Sequence, residues 1–285
     1  MKMMVFTYDG ITRGRCLGSG STAIVYRGDR HGQSMAVKEL STPSNIQRRA
    51  FRRELAILKE VQHKNIVHAL GFYRSPELLT LFSELCEGGC LFDLLHKTNF
   101  QLRLSQQGTI LRSVATAMEY LHGMAAQVVH RDLKSLNILL AKPLLSTLDT
   151  PCVKLCDFGS ARMMEHDSSG PKWINMTRDV GTSHWRAPEV SSGVYDEKVD
   201  VYSFAMLIFE TLSYEIPYVE LMVADIPMAV SQGVRPDSEL LDPDCPPFLS
   251  DLMEKCWSPL SAERPSFADI CSKLSGFESH RACSL

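Results

Sequence analysis

The 285-residue chain has no apolar run long enough to cross a bilayer. Its longest, around Ala205-Met206-Leu207-Ile208-Phe209, falls far short of about 18 residues, so no membrane insertion is expected. Nor does one sign of charge dominate: 30 Lys and Arg against 33 Asp and Glu leave a net −3, which argues against a nucleic acid or an anionic membrane surface as partner. The opening Met1-Lys2-Met3-Met4-Val5-Phe6 soon meets Asp9, unlike a secretory leader. The closing Ala282-Cys283-Ser284-Leu285 lacks the cysteine placement for prenylation. Cys86/Cys90 and Cys152/Cys156 have no accompanying histidine cluster at zinc-ligand spacing. Nine cysteines is an odd count, and reduced, packed thiols in a cytoplasmic protein are expected rather than a disulfide framework. Repeats and low-complexity tracts are lacking too. What is present is ordinary for a globular chain, 45% hydrophobic and 22% charged. The length suits two units or one two-lobed unit, and buries about three quarters of the unfolded surface.

The two parts of the chain have different periodicities. Ile11 to Leu17, Ala23 to Gly28 and Met35 to Leu40 read as strands divided by glycine-rich turns. Asn45 to Gln62 reads as a helix, since Phe51, Leu55 and Leu58 recur at i, i+4, i+7. Val67 to Tyr73 and Leu78 to Leu85 complete a β-rich first part, which ends at Glu87-Gly88-Gly89. Beyond it, Leu91 to His96, Ser105 to His122, Phe248 to Cys256 and Phe267 to Leu274 read as helices. Val199 to Leu212 is nearly all apolar and is expected to be a buried central helix. The polar stretch 157–189 lacks periodicity, and a loop of that length is usually functional. The segment Lys142 to Pro151 is longer than a hairpin needs.

Several short motifs carry chemistry. In Leu17-Gly18-Ser19-Gly20-Ser21-Thr22-Ala23-Ile24-Val25, Gly18 and Gly20 let backbone N–H groups approach phosphate oxygens. The strand-turn-strand setting disfavours a dinucleotide fold, Ala23 stands at the third glycine position, and a plain Gly-Ser turn reads equally well. Lys38, in Ala36-Val37-Lys38, lies on an apolar strand. Glu54 falls on or beside the inward face of the following helix, where an unpaired carboxylate is costly. A Lys38–Glu54 ion pair accounts for both. His130-Arg131-Asp132-Leu133-Lys134-Ser135-Leu136-Asn137 fits a phosphoryl-transfer loop with Asp132 orienting an attacking hydroxyl, Lys134 neutralising developing charge and Asn137 holding Mg²⁺. Asp157-Phe158-Gly159 follows with a second metal ligand, Asp157, and Ala187-Pro188-Glu189 closes the segment.

Taken in order, these motifs resemble a eukaryotic protein kinase domain of the tyrosine-kinase-like group over residues 11–275. The resemblance implies an α+β bilobal fold: a small β-rich lobe with one helix (11–86), a hinge at about 84–89 and a mainly helical lobe (90–275), with short flanks at 1–10 and 276–285. It implies ATP and Mg²⁺, protein substrates, and an upstream kinase acting on a protein that is a monomer by default. Leu17, Gly18, Ser19, Gly20, Val25, Ala36, Lys38 and Leu139 would surround the nucleotide. Ser83 resembles the gatekeeper, and Glu84 to Cys86 the segment that hydrogen-bonds adenine. Glu189 would pair with Arg264, Asp200 would brace the catalytic loop, and Leu58, Leu70, His130 and Phe158 would stack together.

Lys134 with Gly181-Thr182 resembles serine/threonine kinases. Tyrosine or dual specificity, a catalytically weak pseudokinase scaffold and a small-metabolite kinase are the alternatives. Thr177 and Ser183, with Ser168 and Ser169, are candidate phosphate acceptors that Arg131 would receive. Cys156, next to Asp157, is expected to face the nucleotide and be shielded by it.

Overall fold

The computed structural model describes residues 4–6, 8, 10–20, 23–163, 166, 167, 170, 171 and 182–279. Its first lobe is one twisted sheet with a helix on one face. Strands β1 (Met4–Val5), β2 (Ile11–Ser19), β3 (Ile24–Arg30), β4 (Gln33–Ser41), β5 (Ala69–Arg74) and β6 (Leu78–Ser83) lie in the order β1-β5-β6-β4-β3-β2. The pairing is antiparallel except for β1, which runs parallel to β5. The turn between β3 and β4 places His31 and Gly32 at φ 54° and 81°, the paired left-handed conformation that matches strand twist in a tight hairpin.

Helix α1 (Asn45–Glu60) starts where Ser44 and Gln47 cap one another's backbone: Gln47 N–H donates to Ser44 Oγ and Ser44 N–H to Gln47 Oε1. Its face buries Phe51 and Leu55 with Leu40, Ala69, Leu79 and Leu81. The other side of the sheet buries Met35, Val37 and Phe82 under Phe6. Residues 4–6 therefore add a strand and a core side chain to this lobe. Two residues are too short for alternation to reveal them in sequence.

The second lobe is built around α4 (Lys198–Ser213), in which every residue from Val199 to Leu212 is buried. Around it stand α2 (Leu91–His96), α3 (Leu104–His122), the short α5 (Ile226–Ser231), α6 (Pro247–Cys256) and α7 (Phe267–Ser279). Two antiparallel pairs face the first lobe, β8 (Ile138–Leu140) with β9 (Val153–Leu155) and β7 (Val128–Val129) with β10 (Arg162–Met163). The polar stretch thus holds short ladders, including His166–Asp167 against Gly170–Pro171. Ile57 and Ile66 join the same core as Leu133, Phe158 and α4, so hydrophobic packing continues across the cleft. Among the described residues, no helix is long and apolar enough to cross a membrane.

The segment 142–151 is a clamped loop. Asp149 Oδ2 accepts from the N–H groups of Leu145 and Ser146, and the buried Gln106 amide donates to the carbonyls of Ser146 and Asp149.

Candidate active site

Strand pairing brings the first group of residues together. Val25 lies opposite both Gly18 and Lys38, and Ala36 lies opposite Ser83. Lys38 Nζ then reaches two carboxylates, Glu54 Oε1 at 2.9 Å and Asp157 Oδ1 at 2.8 Å. Burial alone would disfavour the ammonium, but Glu54 and Asp157 outweigh it and push the Lys38 pKa up. Lys38 in turn holds the Asp157 carboxyl down at about 2. Burial pushes Glu54 up while Lys38 pulls it back. A Cβ on Gly159 would lie 3.3 Å from Asp157 Oδ1, so a larger residue would crowd that acid, while Glu54 Oε2 at 3.9 Å would be in ordinary contact.

Gly18 and Gly20 have ordinary backbone angles. A Cβ on Gly18 would meet nothing within 4 Å, and one on Gly20 only Ala23 O at 3.8 Å. Neither fold nor packing requires glycine here. The Gly20 N–H is donated to the Ala23 carbonyl at 2.9 Å, and the open space at Gly18 suits a polyphosphate, so this turn fits ATP. Leu17 and Ser19 are exposed on the same strand, and Leu139 lies half-buried on β8, bridged to Cys90. Glu84 Oε1 is taken by Lys154 Nζ and the His68 N–H, both at 2.8 Å. Burial and the nearby Glu84 carboxylate push the Cys86 thiol up to about 12. For these two residues it is the backbone that remains for a base.

The second group sits on the loop after β7. Asp132 Oδ2 pairs with Lys134 Nζ at 2.8 Å and accepts from Asn137 Nδ2 at 3.1 Å. Lys134 Nζ donates to Thr182 Oγ1 at 2.6 Å, and Thr182 Oγ1 donates to Asp132 Oδ1 at 3.2 Å. A closed triangle therefore joins residues fifty positions apart. With its Nδ2 held by Asp132, Asn137 keeps Oδ1 for a cation. Its own carbonyl accepts from Cys156 N at 2.9 Å, placing it beside Asp157. An amide oxygen and a carboxylate fit Mg²⁺, which takes few protein oxygens and completes its shell with phosphate and water.

The loop is held from below by Asp200. This buried carboxylate accepts from His130 N (2.8 Å), Arg131 N (2.7 Å) and His122 Nε2 (2.9 Å). Burial would raise its pKa, but the His122 contact and the other donors bring it below the usual range. Arg131 and Asp157 both have left-handed backbone, φ 67° and 62°. Such conformations cost about 1 kcal/mol or more and persist where surrounding contacts enforce them. Glu189 and Arg264 meet in a two-pronged pair at 2.5 and 3.0 Å.

Two expectations change. Leu70 packs beside Phe82 and Met35 on the outer face of the sheet, whereas Ala69 faces Leu58. The period-2 alternation of β5 forces this, and the stack of His130 on Phe158 (centroids 5.2 Å) continues towards the helix without Leu70. Arg131 is not an uncommitted cation: it is buried and donates to Tyr195 Oη and the Ser160 carbonyl. Cys156 is half-buried beside Asp157, and burial, then that carboxylate, pushes its thiol well above the usual range, which makes it a poor nucleophile.

Ser183 opens a 3₁₀ turn directly after Thr182. Thr177, Ser168 and Ser169 lie outside the described residues. Two cations that the sequence reading did not single out stand near Arg131. Burial, then Arg131, lowers the pKa of Arg53; burial, then Arg131 and Arg53, lowers that of Arg162 to about 10.

A family model described as protein tyrosine and serine/threonine kinase matches residues 11–274. The chain belongs to this protein kinase family. It is 36% identical over 272 residues, 94% of its length, to a protein of Arabidopsis thaliana named "Probable serine/threonine-protein kinase SIS8". It is 33% identical, over 94% of its length, to the RGS domain-containing serine/threonine-protein kinase A of Dictyostelium discoideum. Another Dictyostelium relative, the dual specificity protein kinase pyk3, is 33% identical over 92% of this chain. The chain spans 25%, 22% and 18% of these three proteins respectively.

Proposed function

We propose that the protein is an ATP-dependent kinase of the tyrosine-kinase-like group that phosphorylates serine and threonine side chains of other proteins through a domain at 11–275. The observation that carries this reading is the triangle of Asp132, Lys134 and Thr182, set across the cleft from the Lys38–Glu54–Asp157 chain. Asp132 Oδ accepts the hydrogen bond of the incoming hydroxyl and aims its oxygen at the γ-phosphorus. Lys134 Nζ, 2.8 Å from that carboxylate, faces the charge that grows on the transferred phosphoryl group. Lys38, held by Glu54, presents its ammonium to the α- and β-phosphates beneath the Gly18–Gly20 turn, where the missing side chain at 18 leaves room for them. Asn137 and Asp157 would hold Mg²⁺, which would supply positive charge to offset that of the phosphates.

Lys134, bonded to both Asp132 and Thr182, supports a short acceptor side chain, as do relatives named serine/threonine kinases. Motif likeness around Asp200 to Phe204 and Arg264 to Phe267 supports the group assignment. Arg53 and Arg162, beside an Arg131 already committed to Ser160 and Tyr195, suit a phosphate placed by an upstream kinase on the neighbouring loop, with Thr177 the candidate acceptor. Eight free cysteines among the described residues support a reducing, cytoplasmic setting and a chain that works as a monomer without disulfides.

The test is transfer from labelled ATP·Mg to a mixed peptide library, followed by phosphoamino-acid analysis. Phosphoserine and phosphothreonine are expected, with loss in Asp132→Asn and Lys38→Met. Phosphotyrosine alongside them would establish dual specificity. Transfer that survives Asp132→Asn would refute the mechanism.

A further inference from the structure

Glu39 is an acid on the outer face of the first sheet. It follows Lys38 on β4, and the alternation that turns Lys38 into the cleft turns Glu39 to the face that carries Met35 and Val37. Its side chain is only 4% exposed. A buried carboxylate is retained only where hydrogen bonds replace its water. Here the donors come from two other segments. Arg13, on β2, gives Nη2 to Oε2 at 2.6 Å and Nε to Oε1 at 3.0 Å. Tyr8 Oη donates to Oε1 and accepts from Arg13 Nε at 3.1 Å. To reach Glu39 the Arg13 side chain spans β3, with its guanidinium 5.3 Å from the centre of the Tyr26 ring and 5.8 Å from that of Tyr8.

Tyr8 is brought there by the path of the chain. β1 and β2 are the two edge strands of the sheet, so Phe6 and Tyr8, between them in sequence, cross its outer face. Phe6 anchors the crossing on Phe82, with ring centroids 5.1 Å apart, and through its N–H on the Phe72 carbonyl at 2.9 Å. Tyr8 then lies edge-on to Tyr73 at 5.5 Å. Both residues lie ahead of position 11, where the kinase family match begins.

The strand that holds Arg13 shows what the cluster fixes. β2 leads to the Gly18–Gly20 turn, and its register against β3 slips twice on the way, between Arg13 and Cys16 and between Cys16 and Gly18. Each slip gives β2 one more residue than β3 and interrupts the ladder. Strand pairing alone therefore carries no fixed register from the body of the sheet to the turn. Arg13 is the last paired residue before the first slip, and Glu39 ties it to the strand that carries Lys38.

We propose that Arg13 and Glu39, together with Tyr8, are positioning residues that set the height of the Gly18–Gly20 turn above Lys38, so that turn and ammonium close on the same triphosphate. None of the three touches ATP; they act through β2 and β4. The ATP-binding element thus begins ahead of residue 11, with Tyr8 as its first member. This rests on the kinase reading above, which places the triphosphate between that turn and Lys38.

The experiment uses the full chain, with ATP and peptide titrated separately. Arg13→Met keeps an apolar stem over the two rings and removes the cation. It should raise the ATP KM about fivefold and leave the peptide KM within about twofold. Arg13→Lys, whose ammonium pairs with one carboxylate oxygen but not both, should recover part of this loss, to about twofold over wild type. Glu39→Gln should act like Arg13→Met, and the double variant should be no worse than either alone, because both remove one ion pair. Tyr8→Phe takes one donor from the carboxylate and should raise the ATP KM about threefold. Amide hydrogen exchange provides a readout independent of turnover: Arg13→Met should speed exchange in 14–20 while 69–83 stays protected. Equal shifts in both KM values, additive effects in the double variant, or exchange that rises evenly over the lobe would overturn the proposal. An unchanged ATP KM in Tyr8→Phe would overturn the part given to the N-terminal crossing. If Glu39→Gln does not fold, the contrast between Arg13→Met and Arg13→Lys decides, and its absence overturns the proposal. A wild-type chain that neither binds ATP·Mg nor transfers phosphate would remove the kinase reading, while the exchange pattern would still decide whether the Arg13–Glu39 pair fixes the turn.

Discussion

Replacing Glu189 by glutamine tests how far the second lobe depends on one ion pair. Arg264 is fully buried at the pair and Glu189 is 22% exposed. The guanidinium spends Nη1 and Nη2 on the carboxylate, gives Nε to the Ser258 carbonyl at 2.9 Å, and lies 5.1 Å from the centre of the Tyr202 ring. Glutamine keeps the shape and one acceptor but leaves a buried cation without its counter-charge. Breaking such a pair from one side costs about 3–5 kcal/mol. The surviving contacts to Ser258 and to the Lys198 carbonyl put this case at the lower end, ~3 kcal/mol. At about 2 °C per kcal/mol for a chain of this size, the melting temperature should fall by about 6 °C. Differential scanning fluorimetry at low and at high salt measures this. Because the pair is shielded from solvent, about 0.5 M NaCl should not close the gap between wild type and variant. A fall below about 1 °C, or a gap that salt abolishes, would mean that the pair behaves as a surface contact and that the reasoning is wrong.

Other consequences follow from the same geometry. Asp157 is held down at about 2 chiefly by Lys38, so its charged form stabilises the fold above the ordinary carboxyl range and that contribution is lost as pH falls towards about 2. Urea titrations of wild type and Lys38→Met should therefore show a stability gap that is constant above about pH 5 and narrows below about pH 4; a gap that widens in acid contradicts this assignment. Gly18→Val should weaken ATP binding by about tenfold without changing the melting temperature, because a Cβ there meets no protein atom within 4 Å. Isothermal titration with a non-hydrolysable ATP analogue reads this directly, and a destabilised but normally binding variant would reverse the argument. At neutral pH, iodoacetamide should label the exposed Cys16 and Cys152 well before Cys156, whose thiol burial holds in the protonated form; peptide mapping over time gives the order.

Much of this fold was legible because its elements are long and their periodicity strong. The Phe51-Leu55-Leu58 spacing marked α1, and the apolar run from Val199 to Leu212 marked the central helix. The motif loops were legible because side chains at fixed offsets must share one small space, as Asp132, Lys134 and Asn137 do. What escaped was set by tertiary contact. β1 is two residues long and exists because β5 offers an open edge. β8 and β9, three residues each, are likewise too short for alternation to reveal. The family resemblance places Leu70 in the inner stack. The alternation of β5 instead gives the inner position to Ala69, a residue whose size gives no hint of it.

Charged residues inside apolar runs deserved more weight than hydrophobic position alone. Asp200 and Glu210 both lie within the buried span of α4, ten residues apart, and both are 0% exposed. An apolar helix gains nothing from a carboxylate unless that carboxylate binds something that must be fixed in place. Each here collects three hydrogen bonds from segments remote in sequence: Asp200 from His122, His130 and Arg131, Glu210 from His96, Ser135 and Trp185. The central helix thus serves as the fixed frame on which the catalytic loop hangs at both ends.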